Sequence, residues 1–306
     1  MATAPHAAVS GHLPAWPAIA AAQHCSVARV PFFVLDDRLP LHTGSVARHH
    51  LRALVRWPEA LRVDDSGVTL TLPAALRKAF FAQANSHLRE LGLITAWRDE
   101  TYPVMSVGSR GQARQLLATF ERAASRFWGT LTFGAHCNGF VTDAQGRPAQ
   151  LWIARRSLTK ATDPGLLDNL IGGGVPHGQT PAEALLREAW EEAGLLPEHL
   201  RGLQPGRVAR VARDIPEGFQ LEELSVYDLA LPAGLIPSNQ DGEVHSFALL
   251  PVDEALALAA SAAMTVDASL ATLDFALRHR LLPNDQKERL AAASAGLWAG
   301  MALRAD

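Results

Sequence analysis

Cysteine and long apolar runs are both scarce in this sequence of 306 residues. The two cysteines, Cys25 and Cys137, form no CxxC pair, which favours two reduced thiols over a single disulfide. A helix that crosses a membrane needs about 20 consecutive apolar residues. Even the apolar stretch 248–264 is interrupted by Pro251 and by acidic residues, so we expect no membrane-spanning segment.

An excess of basic residues is also missing. The 28 Lys and Arg residues and 31 Asp and Glu residues give a net charge of −3, without the basic footprint of a nucleic-acid-binding protein. The N-terminus has no cationic region, and Pro14 and Pro17 interrupt it, so it makes a poor signal peptide. With 48% apolar residues, the chain can form a core. The composition therefore predicts a folded cytoplasmic protein that binds neither nucleic acid nor membrane.

The chain is longer than a usual single domain, so we expect a companion beside the main domain. Hydrophobic spacing predicts strands over 30–36, 67–72, 130–141, 150–157, 207–215 and 219–232. It predicts helices over 44–57, 73–92, 110–129, 253–263, 266–280 and 285–301. The pattern changes near residue 125, which predicts a smaller N-terminal α/β domain over 1–124 and a main domain over 125–306.

Residues 173–195, GGVPHGQTPAEALLREAWEEAGL, carry the signals of a well-defined helix. Thr180 and Glu183 have the spacing of a capping box, and Pro181 stands at the first helical position. Gly194 supplies the left-handed residue that commonly follows the last turn. The segment therefore predicts a helix over 181–193.

Three glutamates, Glu188, Glu191 and Glu192, lie on one side of this helix, next to an apolar face. Like charges three and four residues apart cost roughly a few tenths of a kcal/mol each on an isolated helix. A divalent cation would offset that cost, because hard ions such as Mg²⁺ prefer carboxylate oxygens. The alternative is an acidic face that is simply solvated.

A glycine-rich loop comes immediately before the helix. It contains Gly172, Gly173 and Gly174, followed by Gly178. Glycine lets the backbone approach a ligand closely, and a helix N-terminus favours anions. A loop for phosphate beside carboxylates for a cation would suit a metal-bound phosphate compound.

This order of loop, cap and acids resembles the Nudix box, G-x5-E-x7-R-E-U-x-E-E-x-G-U, in which U is a bulky aliphatic residue. The matching positions are Gly173, Arg187-Glu188, Glu191-Glu192 and Gly194-Leu195. Two positions differ, because Gln179 replaces the first glutamate and Ala189 replaces the aliphatic residue. The resemblance implies a Nudix α/β/α sandwich with a mixed sheet, preceded here by the smaller α/β domain.

The resemblance also implies roles for the acids. A Mg²⁺ or Mn²⁺ ion would be held by Glu188, Glu191 and Glu192, with Arg187 orienting their carboxylates through charge-assisted hydrogen bonds. Nudix enzymes often take a further acid from a later loop, and Glu243 is the best-placed candidate for the general base. Arg187, Glu191 and Glu243 are therefore the expected catalytic residues.

The segment before the glycine loop supplies candidate substrate ligands. We expect Arg156 or Lys160 to meet a phosphate. Asn169 either orients the loop or contacts the substrate, and the backbone of Gly173 and Gly174 approaches the phosphates. The substrate would be a small organic diphosphate.

A narrower resemblance suggests which diphosphate. From Trp152 to Asn169 the sequence reads W-I-x-R-R-S-x-x-K-x-x-x-P-G-x-L-D-N. This pattern is similar to the Nudix branch that fungi fuse to thiamine pyrophosphokinase. It implies the conversion of damaged, oxidised thiamine diphosphate to the monophosphate.

Three alternatives stay open. The Trp152–Gly165 part of the pattern also resembles isopentenyl diphosphate isomerase, which needs a catalytic cysteine where residues 168–177 have none. A nucleotide-sugar or dinucleotide pyrophosphatase would use the same box. A non-catalytic diphosphate-binding regulatory module is supported only by Gln179.

The companion domain is rich in aromatic residues. Trp97 and Tyr102 could stack on a heterocyclic substrate, with core packing as the alternative. The sequence leaves the oligomeric state open, with a homodimer as one alternative.

Overall fold

Residues 16–108 and 113–302 are described by the computed structural model, and they form three β-sheets. The alternation of buried Val30, Phe32 and Val34 gives the first strand of the N-terminal sheet one inward face. That strand pairs antiparallel with the next strand and parallel with a later one. The sheet packs against a long helix that contributes Phe81 and Leu88 to an N-terminal core.

The N-terminal elements are α1 (Pro17–Ala21), β1 (Arg29–Asp36), β2 (Leu39–Ala47), α2 (Leu51–Leu54), β3 (Leu61–Asp64), β4 (Gly67–Leu70), α3 (Ala74–Glu90), β5 (Thr101–Met105), β6 (Leu116–Glu121) and α4 (Ala124–Trp128). The order in the four-stranded sheet is β2-β1-β4-β3, and β5 and β6 form a separate antiparallel pair. This region is therefore α/β, as predicted.

Two of the predicted N-terminal helices are wrong. The stretch 44–57 begins within β2, and only four residues of it, Leu51–Leu54, form an α-helix. The described part of 110–129 forms β6 and the short α4 instead of one helix, and residues 110–112 lie outside the described residues. In part of each stretch, pairing with the preceding strand overrides the local helical spacing.

The C-terminal elements are β7 (Leu131–Thr142), β8 (Pro148–Arg156), β9 (Leu167–Asp168), β10 (Ile171–Gly174), α5 (Pro181–Ala193), β11 (Gln204–Ile215), β12 (Gly218–Ala230), β13 (Val244–Pro251), α6 (Val252–Ala259), α7 (Val266–Arg278), α8 (Asn284–Ser294) and β14 (Trp298–Met301). The main path of their sheet is β13-β8-β7-β12-β11-β14, with β10 paired to β7 and β9 paired to β8. The pair β7–β12 is parallel and the pair β7–β8 antiparallel, so the sheet is mixed.

Apolar side chains cover both faces of this sheet. On one face, Phe140 and Leu224 pack with Phe275 of α7 and with residues of α6 and α8. On the other face, Ala135 and Tyr227 pack with α5. The predicted α/β/α sandwich with a mixed sheet is confirmed.

The first described residues belong to the C-terminal core. Trp16 is 3% exposed, and its Nε1 donates a hydrogen bond of 3.1 Å to the backbone oxygen of Ser269 on α7. Ala18 and Ala22 are buried in the same core. The division of the chain after residue 124 stays a prediction. None of the helices in the described ranges is both long and apolar enough to cross a membrane.

We expect Trp16→Ala to lower the free energy of unfolding by about 3 to 5 kcal/mol, the usual cost of truncating a buried tryptophan. Chemical denaturation would measure it, with Trp190→Ala as the control because Trp190 is 51% exposed. Equal losses in the two variants would contradict the anchoring of the N-terminal segment in this core.

Candidate active site

The helix that carries the glutamates begins and ends as its sequence predicts. In α5, Thr180 Oγ1 accepts a hydrogen bond of 3.2 Å from the Glu183 amide, and Glu183 Oε2 accepts one of 2.7 Å from the Thr180 amide. Gly194 has a φ of 65°, in the left-handed region. These local interactions fix both ends of α5 and therefore the direction of its side chains.

The three glutamates of α5 differ in burial. Glu192 is 5% exposed, whereas the Glu188 and Glu191 side chains are 13% and 39% exposed. Glu188 and Glu191 line a cleft of about 800 Å³, and Glu192 lies behind its wall. The alternative of a simply solvated acidic face therefore does not describe Glu188 and Glu192.

The glycines of β10 lie against functional side chains. The Gly172 amide donates a hydrogen bond of 3.0 Å to Glu192 Oε2. A Cβ atom on Gly173 would overlap the Glu188 carboxylate, and one on Gly174 would overlap the Tyr102 hydroxyl. Close approach is thus the physical reason for glycine at 173 and 174.

Two cations hold the carboxylates in place. Arg187 donates to Glu188 Oε1 and to Glu191 Oε2, each at 2.8 Å. Lys160 Nζ lies 3.2 Å from Glu192 Oε1 and also contacts Glu243. Lys160 therefore links α5 to the later loop, and the structure brings Glu243 to the site as the sequence predicts.

Burial changes the protonation of these acids. It raises the pKa of Glu192 to about 7, although the Lys160 ammonium acts against it. Burial also raises the pKa of Glu188, with Arg187 acting against it. Burial alone would raise the pKa of Glu243, but Lys160 and Arg98 outweigh it and lower that pKa. Glu243 therefore stays ionised at neutral pH. Burial favours the neutral forms of Glu188 and Glu192, so these two carboxylates need nearby positive charge to stay ionised.

The donor set fits a hard divalent cation. Its members are carboxylates, the ligands that Mg²⁺ and Mn²⁺ prefer, and positive charge would offset the burial of two of them. Within residues 16–108 and 113–302, no three acids, histidines or cysteines are already gathered as a metal cluster. Arg187 and Lys160 instead contact the candidate ligands.

The predicted substrate ligands lie in different environments. Arg156 lines the cleft, but its guanidinium donates to Asp168 Oδ2 at 2.8 Å and to the Thr162 backbone oxygen at 2.9 Å. Lys160 and the backbone of Gly173 and Gly174 also line the cleft. Both side chains predicted to meet a phosphate are therefore at the cleft, each already paired with protein acids or carbonyls.

Asn169 lies in the interior instead. It is 2% exposed, and its amide donates to Asn138 at 3.0 Å and to Thr272 at 3.1 Å. Its Oδ1 lies 2.8 Å from His136 Nδ1. Asn169 is not among the described residues that line the cleft. This position favours the alternative in which Asn169 orients the loop.

The aromatic side chains of the companion domain pack internally. Tyr102 is 1% exposed, and Trp97 lies partly buried against the N-terminal core. Trp97 Nε1 donates to Asp99 at 2.8 Å, and the Arg89 guanidinium lies 4.6 Å from the ring centroid of Trp97. Neither aromatic residue is among the cleft-lining residues in the described ranges, which favours packing over stacking on substrate.

Some cleft residues were not nominated from the sequence. Within the described ranges they include Arg98, Arg122, Arg126 and Asp267. Glu222 also lines the cleft, and its strand pattern predicts that only one of Glu222 and Glu223 could face the site. The spacing Arg122-x-x-x-Arg126 ahead of β7 was the available signal for two of them. These residues reach the box only through tertiary packing, which the spacing of residues along the sequence does not predict.

The comparison with known proteins agrees with this geometry. Residues 133–269 match the family described as the NUDIX domain. Nudix hydrolase 24 of Arabidopsis thaliana, a chloroplastic protein, is 38% identical over 257 residues, which cover 82% of this chain and 68% of that protein. This chain belongs to the Nudix hydrolase family.

Other relatives match over shorter parts of their length. Chloroplastic Nudix hydrolase 20 of Arabidopsis thaliana is 38% identical over 195 residues, 63% of this chain and 50% of that protein. An uncharacterized protein of Saccharomyces cerevisiae is 31% identical over 198 residues, 61% of this chain and 56% of that protein. The chain thus spans between half and about two thirds of the length of these relatives.

The raised pKa of Glu192 predicts a pH-dependent stability in metal-free protein. The folded state binds the Glu192 proton more tightly than the unfolded state, so this contribution is present at pH 4 and lost as the pH rises through about 7. Relative to Glu192→Gln, we expect the wild-type free energy of unfolding to fall by about 2 to 3 kcal/mol across that window. Denaturation in EDTA at several pH values would measure it, and a pH-independent difference would contradict it.

Proposed function

We propose that this Nudix chain hydrolyses a phosphoanhydride bond in an organic diphosphate, with Mg²⁺ bound at the carboxylates of α5. The observation that carries the proposal is the placement of Glu188 against Gly173, where carboxylates and a close-approach backbone share one cleft. A metal-bound diphosphate needs both features. The carboxylates bind the cation that offsets its charge, and the backbone supplies hydrogen-bond donors to its oxygens.

Different residues of the chain would have different roles in this reaction. Glu188, Glu191 and Glu192 would hold the cation, and a bound Mg²⁺ would offset phosphate charge and make water more acidic. Arg187 fixes the directions of Glu188 and Glu191 through its two hydrogen bonds. Gly173 and Gly174 let the Glu188 carboxylate and the Tyr102 hydroxyl lie directly against the backbone of the loop.

Proton transfer is assigned to an ionised carboxylate beside the attacking water. Glu243 or Glu191 accepts the proton while the water oxygen bonds to phosphorus and the bridging P–O bond breaks. The bridging oxygen leaves with the bonding electrons on one phosphate, so the products are the organic monophosphate and inorganic phosphate, and the proton later returns to solvent. The lowered pKa of Glu243 keeps its carboxylate ionised at neutral pH and makes it a weaker base than an unpaired glutamate.

For the substrate, we propose oxidised thiamine diphosphate, which would be converted to the monophosphate. The support is the extended pattern from Trp152 to Asn169, which resembles the thiamine-linked Nudix branch. The cleft of about 800 Å³ is in the range of sites for small organic ligands, so it has room for a heterocycle as well as a diphosphate. The cytoplasmic location and the homodimer stay predictions.

The positions of the cysteines favour hydrolysis over isomerisation. Cys137 is fully buried in the core under α5, and Cys25 is exposed. Neither is among the described residues that line the cleft. An isomerase of the type that the sequence resembles would need a cysteine at the reacting double bond.

A panel of diphosphates with Mg²⁺ tests the proposal. It would contain thiamine diphosphate, its oxidised analogues, ADP-ribose, NADH and nucleoside triphosphates. We expect an oxidised thiamine diphosphate to be converted fastest, with release of a monophosphate that EDTA abolishes. Rapid turnover of a nucleotide without turnover of thiamine compounds would exclude the substrate but keep the hydrolase, and no turnover at all would exclude the hydrolase.

Gly173→Ala tests the contact that carries the proposal. The new methyl group would displace the Glu188 carboxylate, so we expect kcat on the best panel substrate to fall by about tenfold or more, as for a misplaced catalytic group. Gly202→Ala is the matched control, because its methyl group would meet open space. Equal activities in folded Gly173→Ala and wild type would show that the close approach is not required.

A further inference from the structure

One part of the cleft wall is built by residues that precede β7, which together form the companion region. Its described lining residues are Thr95, Ala96, Arg98, Glu100, Arg122, Ala123 and Arg126. Three of these are arginines, whose guanidinium groups stay charged and suit phosphate oxygens. Two of the three, Arg122 and Arg126, lie one helical turn apart in sequence, immediately before and within α4.

Arg126 has an unused hydrogen-bond donor. Its Nη2 lies 3.2 Å from Glu222 Oε2 on β12. Its Nη1 is buried, and no residue in the described ranges accepts a hydrogen bond from it. A buried donor without an acceptor costs free energy, so such a group is expected to have an ordered water, an ion or a ligand as its partner. The Arg126 side chain lines the cleft, so its guanidinium lies next to the space that a ligand would occupy.

Arg122 lies beside the glycine loop. It donates to Glu100 Oε2 at 3.1 Å and lies over the Tyr102 ring at 5.4 Å from the centroid. A Cβ atom on Gly174 would be 2.9 Å from the Arg122 guanidinium carbon. The companion region therefore places a fixed positive charge directly on the loop that would receive the phosphates.

We propose that Arg126, together with Arg122, binds phosphate oxygens of the substrate from the companion side of the cleft. The diphosphate would then be held between the Nudix box and the companion wall. This inference rests on the proposed function in one respect, namely that the ligand carries a diphosphate. It adds an anion site formed by residues that lie outside the Nudix box and outside the family match at 133–269.

Binding of imidodiphosphate, a non-hydrolysable pyrophosphate analogue, tests the site without turnover. Isothermal titration calorimetry on the full chain with Mg²⁺ would compare wild type with the double variant Arg126→Met/Glu222→Gln. The second change removes the acid that Arg126 would leave unpaired. We expect Kd to rise by about tenfold or more, as for loss of a charge-assisted hydrogen bond.

The neighbouring residue on β12 offers a matched control. Arg210 Nε lies 3.1 Å from Glu223 Oε1, and Arg210 and Glu223 are both absent from the described cleft lining. The double variant Arg210→Met/Glu223→Gln therefore removes an ion pair outside the cleft, and it also removes the carboxylate that accepts from Arg114. We expect its Kd to stay within about twofold of wild type, the scatter of such measurements between unperturbed sites.

A single variant covers the case in which the double variant does not fold. Arg126→Lys keeps a positive charge near Glu222 but lacks the second terminal nitrogen, so it should also weaken imidodiphosphate binding. Unchanged affinity in a folded Arg126 variant would overturn the proposal. Failure of the wild type to bind imidodiphosphate would overturn it as well.

The two proposals fail separately. If no panel diphosphate is hydrolysed but imidodiphosphate binds through Arg126, the proposed function is wrong and the anion site stands. If hydrolysis occurs but binding is independent of Arg126, the hydrolase stands and the anion site is wrong.

Discussion

The buried Glu192 carboxylate joins three segments that are far apart in sequence. One oxygen lies 3.2 Å from Lys160 Nζ, and the other accepts a hydrogen bond of 3.0 Å from the Gly172 amide. Lys160 in turn contacts Glu243. Leaving one charge of a buried pair alone costs about 3 to 5 kcal/mol, so α5, the glycine loop and the later acid are held together by one network. The relative positions of the candidate ligands depend on this network.

The same pairing explains why the cleft can hold many charges. Each of the three glutamates forms an ion pair with a basic side chain. Arg187 pairs with Glu188 and Glu191, and Lys160 pairs with Glu192. A divalent cation bound to these carboxylates would compete with Arg187 and Lys160 for their oxygens. The two side chains would then be available for phosphate, as the sequence predicts for Lys160. The carboxylates would pair with the metal ion, and the two cationic side chains would pair with phosphate. No charge in this poorly solvated site would then lack a partner of opposite sign.

Local sequence was sufficient for some parts of this site and not for others. The capping residues Thr180 and Glu183 and the terminal Gly194 predict α5 correctly, because they act within one turn of the backbone they satisfy. The helices predicted over 44–57 and 110–129 fail because their residues pair with β1 and β5, which local spacing does not encode.

The same limit applies to side chains in the cleft. Glu243 was found because it follows a short turn before a strand, whereas Arg126 was not found because its partner Glu222 is 96 residues away. The burial of Asn169 depends likewise on Asn138 and Thr272, which come from separate elements. Motifs therefore located the chemistry, and tertiary contacts decided which neighbouring residues reach it.

The companion wall is anchored as an integral part of the cleft. Ahead of β1, Trp16 is buried in the C-terminal core, and the Val27 amide donates to Asp214 Oδ2 at 2.8 Å. At the other end of the region, glycine at 218 on β12 leaves no room for a side chain against the backbone of Arg126 in α4. The region is thus fixed before its first strand and again just before β7. A lid that moves on a single hinge would need one of these two attachments to be free. The two attachments therefore favour a preformed cleft, which the substrate enters through its open side.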